Sequence, residues 1–399
     1  MRPIRTLTLA GLLAVACTYD DQVGDDDPSV ADDEDPPPRG PDFEFRYHTK
    51  YVDIAPGFTE PVCRGTLDEI DRHMEAVATL LDSDVQHRTA MFWYNRHVEG
   101  TLADTQEICS WCSRCGGCYS GNKTIHLTYR SLFHELAHAV VAPAWGSSDT
   151  LFEEGIAMGL DRIRGTYGSV PTIYPVLGYD TKPSDVAGSR KHGGAHFSRW
   201  LVDRFGPAPF REMFERLNQT STKEQVFAAV EAVYGLPFEE LEAEYFATAA
   251  TVYPLPGLCE GHLNIPWDGD RWELRLDTDC DAPHMFGPSD LGHNFIVVTV
   301  DIPPEYEGMT IASWTPSDAS SVVWPCVEEP LYDIDHEIVR INRISNNGPT
   351  NFRMGGRHRL EIPVLESGEI YMRLCPDNGK FPGTYPIDKS IDPENCLGD

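Results

Sequence analysis

The most informative stretch of the sequence is SLFHELAHAVVAPAWGSSDTLFEEGIAMG, residues 131–159. It places His134 and His138 four residues apart, and Glu154 follows sixteen residues after the second histidine. Residues four apart lie on one face of an α-helix, so the two imidazoles can reach one ion. Glu135 lies one position further around, where its carboxylate can reach a water beside that ion. The stretch therefore predicts a helix that carries part of a metal site.

The residues around the two histidines indicate a buried helix. With 14 histidines in 399 residues, a chance His-Glu-x-x-His is expected in about one such chain in twenty to thirty, so the pentapeptide alone is moderate evidence. Burying a histidine without a polar or charged partner costs free energy, and a bound metal ion can be that partner. A catalytic zinc needs three protein ligands and an open position, so a third ligand is required. The apolar neighbours are Leu132, Phe133, Leu136, Ala137, Val140 and Val141.

A second helix is predicted to supply that ligand. Ser148 or Asp149 can cap it, and Glu153 and Glu154 fall in its first turns. The two glutamates differ by only about 100° around the helix axis, so helical geometry does not choose between them. We expect Pro143 to end the first helix early.

The two elements together, HELAH and EEGIA, resemble those of the gluzincin metallopeptidases, the thermolysin- and aminopeptidase-like group. The resemblance implies that His134, His138 and Glu154 bind one Zn²⁺ per chain. It also implies that Glu135 is the general base in the hydrolysis of peptide bonds. The resemblance extends over about residues 43–252, including HGGAHFSRWLVDRFG and YGLPFEELEAEYFA.

The expected fold class is α+β. Residues 43–254 are predicted to form a thermolysin-like, two-lobed metallopeptidase domain, in which a small mixed sheet precedes a helical half. In that half, Ser221 and Glu224 are expected to form a capping box, and Gly235 to end the same helix. Residues 255–399 alternate apolar and polar residues between Gly, Pro and Asp, which predicts an all-β sandwich domain.

The amino terminus is predicted to direct export. Residues 1–17 combine a basic start with an apolar run too short to span a bilayer, which is typical of a signal peptide. LAVAC resembles a lipobox, which implies lipidation of Cys17; the alternative is an ordinary signal peptide with an incidental cysteine. Residues 18–42 are acidic and proline-rich and are expected to be a disordered linker. We expect a bacterial cell-envelope protein, an outer-membrane or surface lipoprotein attached to the membrane through Cys17.

The net charge limits the partners that the chain can bind, and the cysteine content indicates disulfide bonds. The formal charge of -31 repels phosphate backbones, so we expect a peptide or protein substrate and no nucleic acid. If Cys17 carries lipid, the other ten cysteines can form five disulfides, and at least one must join the two halves of the chain. The run CSWCSRCGGC, residues 109–118, could instead hold zinc or an iron–sulfur cluster, but export favours disulfides.

The expected function is that of an exported, lipid-anchored zinc metallopeptidase. One alternative is a catalytically inactive surface lipoprotein that keeps the gluzincin scaffold and binds a partner or a glycan. Another is a redox protein that uses CSWCSRCGGC. The donor that stabilises the oxyanion stays open among four residues, Tyr174, Tyr179, His192 and His196.

Overall fold

The computed structural model shows an α+β fold, as predicted, with seven α-helices and three sheets within the described residues. The described residues are 43–94, 109, 116–120, 123–162, 183–255, 257–269, 271–289, 292–306, 310–314, 321–332, 342–344, 349–351, 356–364 and 369–376. The predicted signal peptide, Cys17 and the acidic linker lie outside them. None of the described helices is long and apolar enough to cross a membrane.

The first sheet has five strands, and one helix connects two of them. The elements are β1 (Tyr47–His48), β2 (Val52–Pro56), α1 (Arg64–Leu80), β3 (Thr89–Trp93), β4 (Gly117–Ser120) and β5 (Thr124–Leu127). The order is β1-β2-β3-β5-β4; the three central strands are parallel, and β1 and β4 are antiparallel edge strands. Alternate residues such as Ile54, Met91 and Ile125 enter the core that the sheet shares with the helices.

The helical half follows a 3₁₀ turn at Tyr129–Ser131. Its helices are α2 (Leu132–Trp145), α3 (Thr150–Gly159), α4 (Pro183–Phe205), α5 (Pro207–Glu215), α6 (Lys223–Tyr234) and α7 (Phe238–Thr248). Gly235, at φ 72°, ends α6 as predicted. The capping box is shifted by one residue from the prediction, because Thr222 and Gln225 form it in place of Ser221 and Glu224.

The remaining strands form two sheets that share one apolar core. The strands are β6 (Leu263–Ile265), β7 (Trp272–Asp277), β8 (Met285–Phe286), β9 (Asn294–Ile302), β10 (Thr310–Trp314), β11 (Ser321–Pro325), β12 (Asn342–Ile344), β13 (Pro349–Asn351), β14 (Gly356–Val364) and β15 (Glu369–Pro376). One sheet has the order β13-β10-β15-β7; the other has the order β12-β11-β14-β9-β6, and β8 pairs with β9. Trp272 and Met372 from the first sheet meet Val298 and Leu360 from the second. Two layers around one core are the arrangement of a β-sandwich.

Three disulfides join described cysteines: Cys63–Cys280, Cys109–Cys118 and Cys259–Cys326. The first spans 217 residues and joins α1 to the sandwich, so the prediction of a bridge between the halves is confirmed. The second pairs two of the four cysteines of CSWCSRCGGC, which favours the disulfide interpretation of that run. Its other two cysteines, 112 and 115, lie outside the described residues.

Candidate metal centre

The first half of the centre is on α2, which lies in the core of the helical half. Leu136 and Val140 are fully buried on one side of the helix, while His134 and His138 face α3. The prediction that Pro143 ends this helix early is wrong, since the helix continues to Trp145 and stops at Gly146, where φ is 81°. Pro143 lacks the N–H that would bond to the Ala139 carbonyl, and only two residues of the helix follow it, so the break affects little of the helix.

The second half is on α3, and only four residues, 146–149, separate it from the end of α2. The Asp149 carboxylate accepts a hydrogen bond from the Leu151 amide at 2.9 Å and caps the helix, as predicted. The short link and the cap together set the direction in which α3 leaves α2. Glu154 lies opposite the two histidines, about one turn after the start of its helix.

Close helix packing fixes α3 at the position of its glutamate. A Cβ atom on Gly155 would lie 2.8 Å from the Gly194 carbonyl oxygen of α4, and one on Gly159 would lie 2.9 Å from the Ala195 carbonyl oxygen. The two backbones thus touch where only glycine fits. The G-x-x-x-G spacing within EEGIAMG is a sequence signal for this contact, and the sequence reasoning above missed it.

Three donor atoms converge between α2 and α3. The Nε2 atoms of His134 and His138 lie 3.2 Å apart, and the Glu154 carboxylate oxygens lie 3.5 Å and 3.6 Å from them. Zinc bonds of about 2.0–2.1 Å at tetrahedral angles place two donors about 3.3–3.4 Å apart. A donor set of two histidines and one glutamate at this spacing fits one zinc ion and leaves the fourth position of a tetrahedron without a ligand from these three residues.

The charge around the centre favours a cation. Burial alone lowers the pKa of His138, but its hydrogen bond to Glu154 and the nearby carboxylates raise that pKa to about 8. Without a metal, the field of the carboxylates thus holds a proton on His138 at neutral pH. A divalent cation can take the place of that proton, and both rings then present an Nε2 lone pair to it.

Glu153, the competing third ligand, points elsewhere. Its carboxylate accepts a hydrogen bond from the Ser148 amide at 3.0 Å, beside the start of α3. Burial raises the pKa of this carboxyl group, an effect that the Ser148 amide partly opposes. Glu153 does not belong to the group of converging donors. Of the two glutamates, Glu154 is therefore the one whose carboxylate lies with the two histidines.

Glu135 is buried and lies against β4. A Cβ atom on Gly117 would come within 3.0 Å of the Glu135 Cγ atom and 2.8 Å of the His126 carbonyl oxygen. A side chain at position 117 would thus displace the glutamate or the strand. The sequence reasoning did not select Gly117, although paired glycines between two cysteines are a signal for close approach of backbone.

The four candidates for an oxyanion donor receive little support from the structure. Tyr174 and Tyr179 lie outside the described residues, as does the side chain of His192. His196 is 1% exposed, and its Nδ1 atom lies 2.8 Å from the Tyr245 hydroxyl oxygen. Burial lowers the pKa of His196 to about 4, so this imidazole is a neutral packing residue of the helical core.

No protein-family model and no curated protein matches this chain.

Proposed function

We propose that the chain is a zinc-dependent peptidase whose fold resembles the two-lobed, thermolysin-like gluzincins. The observation that carries the proposal is the convergence of His134, His138 and Glu154. The two imidazole Nε2 atoms lie 3.2 Å apart, and one Glu154 oxygen lies 3.5 Å from His134 and the other 3.6 Å from His138. These side chains are 10–25% exposed, so the centre remains reachable from solvent. A structural zinc site would instead be closed by a fourth protein ligand.

Each residue of the motif has a distinct role in this proposal. His134, His138 and Glu154 would hold a zinc ion. When bound, the ion would supply a Lewis acid that polarises a carbonyl group and a water molecule. Glu135, adjacent to His134 on the helix, accepts a proton from the attacking water and donates it to the departing amine. The charge of Glu135 acts on His138, which supports a position of its carboxylate near the centre.

Export and lipid anchoring belong to the same proposal. The three disulfides among the described residues support folding in an oxidising compartment. The mature chain would be held at the bacterial cell envelope by lipid on Cys17, with the acidic residues 18–42 as a tether. Incorporation of labelled palmitate into the wild type but not into Cys17→Ser tests the anchor.

The decisive experiment compares the wild type with Glu135→Gln for zinc content and for activity on an unstructured protein. We expect both to hold one zinc ion per chain, and the variant to lose about 100-fold or more in kcat. Zinc in both proteins without turnover in the wild type would refute the peptidase and support the inactive scaffold. Activity that is indifferent to the substitution would also refute the proposed role of Glu135.

A further inference from the structure

The β-sandwich is fastened to the start of α1. The disulfide Cys63–Cys280 joins them, and the Cys63 amide donates to the Gly287 carbonyl at 3.1 Å. A Cβ atom on Gly65 would lie 2.5 Å from the Met285 carbonyl oxygen. The first turn of α1 thus rests directly on backbone of the sandwich, with no space for a side chain between them.

One turn further along α1, Glu69 is buried between two arginines. Arg359 of β14 donates to both carboxylate oxygens of Glu69, and Arg162, just after α3, donates to one of them. Burial alone would raise the pKa of Glu69, but the two guanidinium groups hold it well below its usual range. All three side chains are at most 2% exposed. The sandwich therefore supplies one of the two positive charges that offset the buried negative charge of Glu69.

The same cluster reaches the start of the HExxH helix. The guanidinium of Arg162 lies 5.1 Å from the centre of the Phe133 ring, and the His73 Nε2 atom of α1 donates to the Phe133 carbonyl at 3.0 Å. Phe133 directly precedes His134. Arg162 is three residues beyond the last residue of α3, the helix of Glu154. One set of contacts thus touches the helices of all three proposed metal ligands.

A second contact from the sandwich reaches the same place. Tyr129, in the 3₁₀ turn that leads into α2, packs against Phe295 of β9 with ring centres 5.9 Å apart. Its other side stacks on Trp93 of the first sheet. The turn before the HExxH helix is therefore enclosed between the sheet and the sandwich.

We propose that the β-sandwich is part of the metal centre's support, and that Arg359 is a positioning residue for it. By pairing with Glu69, Arg359 fixes α1 and Arg162, and these set the separation of α2 and α3 and hence of the ligands they carry. The sandwich is in this respect a component of the proposed enzyme. The part of this inference that concerns zinc rests on the proposed function.

The test uses the full-length chain with three variants of β14. Arg359→Gln removes the charge, and Arg359→Lys keeps it but loses the two-pronged contact with Glu69. Arg357→Gln is the matched control, since Arg357 lies two residues away on the same strand and pairs with Asp301 at the surface. The dissociation constant for zinc is measured by chelator competition, at a temperature where circular dichroism shows each protein to be folded.

We expect zinc binding to weaken about 10- to 100-fold in Arg359→Gln and about tenfold in Arg359→Lys, and to stay within twofold of the wild type in Arg357→Gln. Saturating zinc should restore part of the activity of the two Arg359 variants, which a purely structural loss would not allow. Wild-type zinc affinity in a folded Arg359→Lys would overturn the inference, even if Arg359→Gln fails to fold.

Hydrogen–deuterium exchange separates this inference from the proposed function, because it does not require zinc. In metal-free protein, we expect Arg359→Lys to raise exchange in residues 132–138 and 150–162 above that of α6, which lies away from the cluster. Exchange that rises only within the sandwich would overturn the positioning role. A wild type that holds no zinc would refute the proposed function, while the exchange result would still decide whether Arg359 positions α2 and α3.

Discussion

Replacing Glu154 and Glu153 separately by glutamine tests which carboxylate completes the metal centre. The two residues are adjacent, have the same side chain and are both partly buried, but only Glu154 lies within 3.6 Å of both imidazole Nε2 atoms. Glu153 instead accepts from the Ser148 amide. Each substitution keeps the size of the side chain and removes its charge, so the pair isolates the effect of position.

The expected magnitude follows from the number of ligands. Four-ligand zinc sites bind with roughly 10–16 kcal/mol, or about 3 kcal/mol for each ligand. Loss of one ligand should weaken zinc binding by about 100-fold, since each 1.4 kcal/mol is about a factor of ten. Glu153→Gln weakens a hydrogen bond at a helix start, so we expect about 1 kcal/mol of lost stability and little change in zinc affinity. Chelator competition measures both affinities. Equal losses in the two variants, or a larger loss in Glu153→Gln, would refute the assignment of Glu154.

Three further predictions concern the surroundings of the centre. Gly117→Ala should lower kcat about tenfold without loss of zinc, because the new methyl group would displace Glu135; unchanged kcat in a folded variant would contradict this. Gly155→Ala should destabilise the fold by about 1–3 kcal/mol in urea titrations, because its methyl group would meet the Gly194 carbonyl, and wild-type stability would count against the close contact of α3 and α4. The free energy of unfolding, measured with a chelator that removes metal, should fall as the pH is lowered from 6.5 to 4. Several histidines keep their pKa values low through burial and stay neutral when folded, but they take up protons near pH 6.5 when unfolded. Protons therefore favour the unfolded chain, by about 1–3 kcal/mol for each histidine whose pKa is about 3 or 4 when folded. A urea midpoint that is constant from pH 7 to pH 4.5 would disprove this. The histidines with lowered pKa values are His73, His126, His196, His262 and His358.

Local patterns in the sequence were sufficient to predict much of the fold. The apolar spacing around His134 and His138 predicts the buried helix that the structure contains, and Asp149 caps the next helix as expected. The capping box was misplaced because Ser221-x-x-Glu224 and Thr222-x-x-Gln225 both satisfy the same pattern. Only the position of the helix start decides between them, and helix boundaries are set by tertiary packing more than by propensity.

Contacts between distant parts of the chain could not be predicted in this way. Glu69 and Arg359 are separated by 290 residues, and an acidic residue in an amphipathic helix is ordinarily expected to face solvent. The choice between Glu153 and Glu154 likewise depends on the angle between α2 and α3. The contact of Gly155 with α4 helps to fix that angle, and helical periodicity in α3 alone does not reveal this contact.

The most direct test of the metal centre is the stoichiometry and coordination of zinc in the purified full-length chain, by native mass spectrometry and zinc K-edge X-ray absorption. We expect one zinc ion per chain, with two imidazole nitrogens and with oxygen as the remaining ligands. This signal should be lost in His138→Ala. A chain without stoichiometric zinc would contradict it. Zinc bound through sulfur would contradict it as well, because the ion would then be held by cysteines and not by His134, His138 and Glu154.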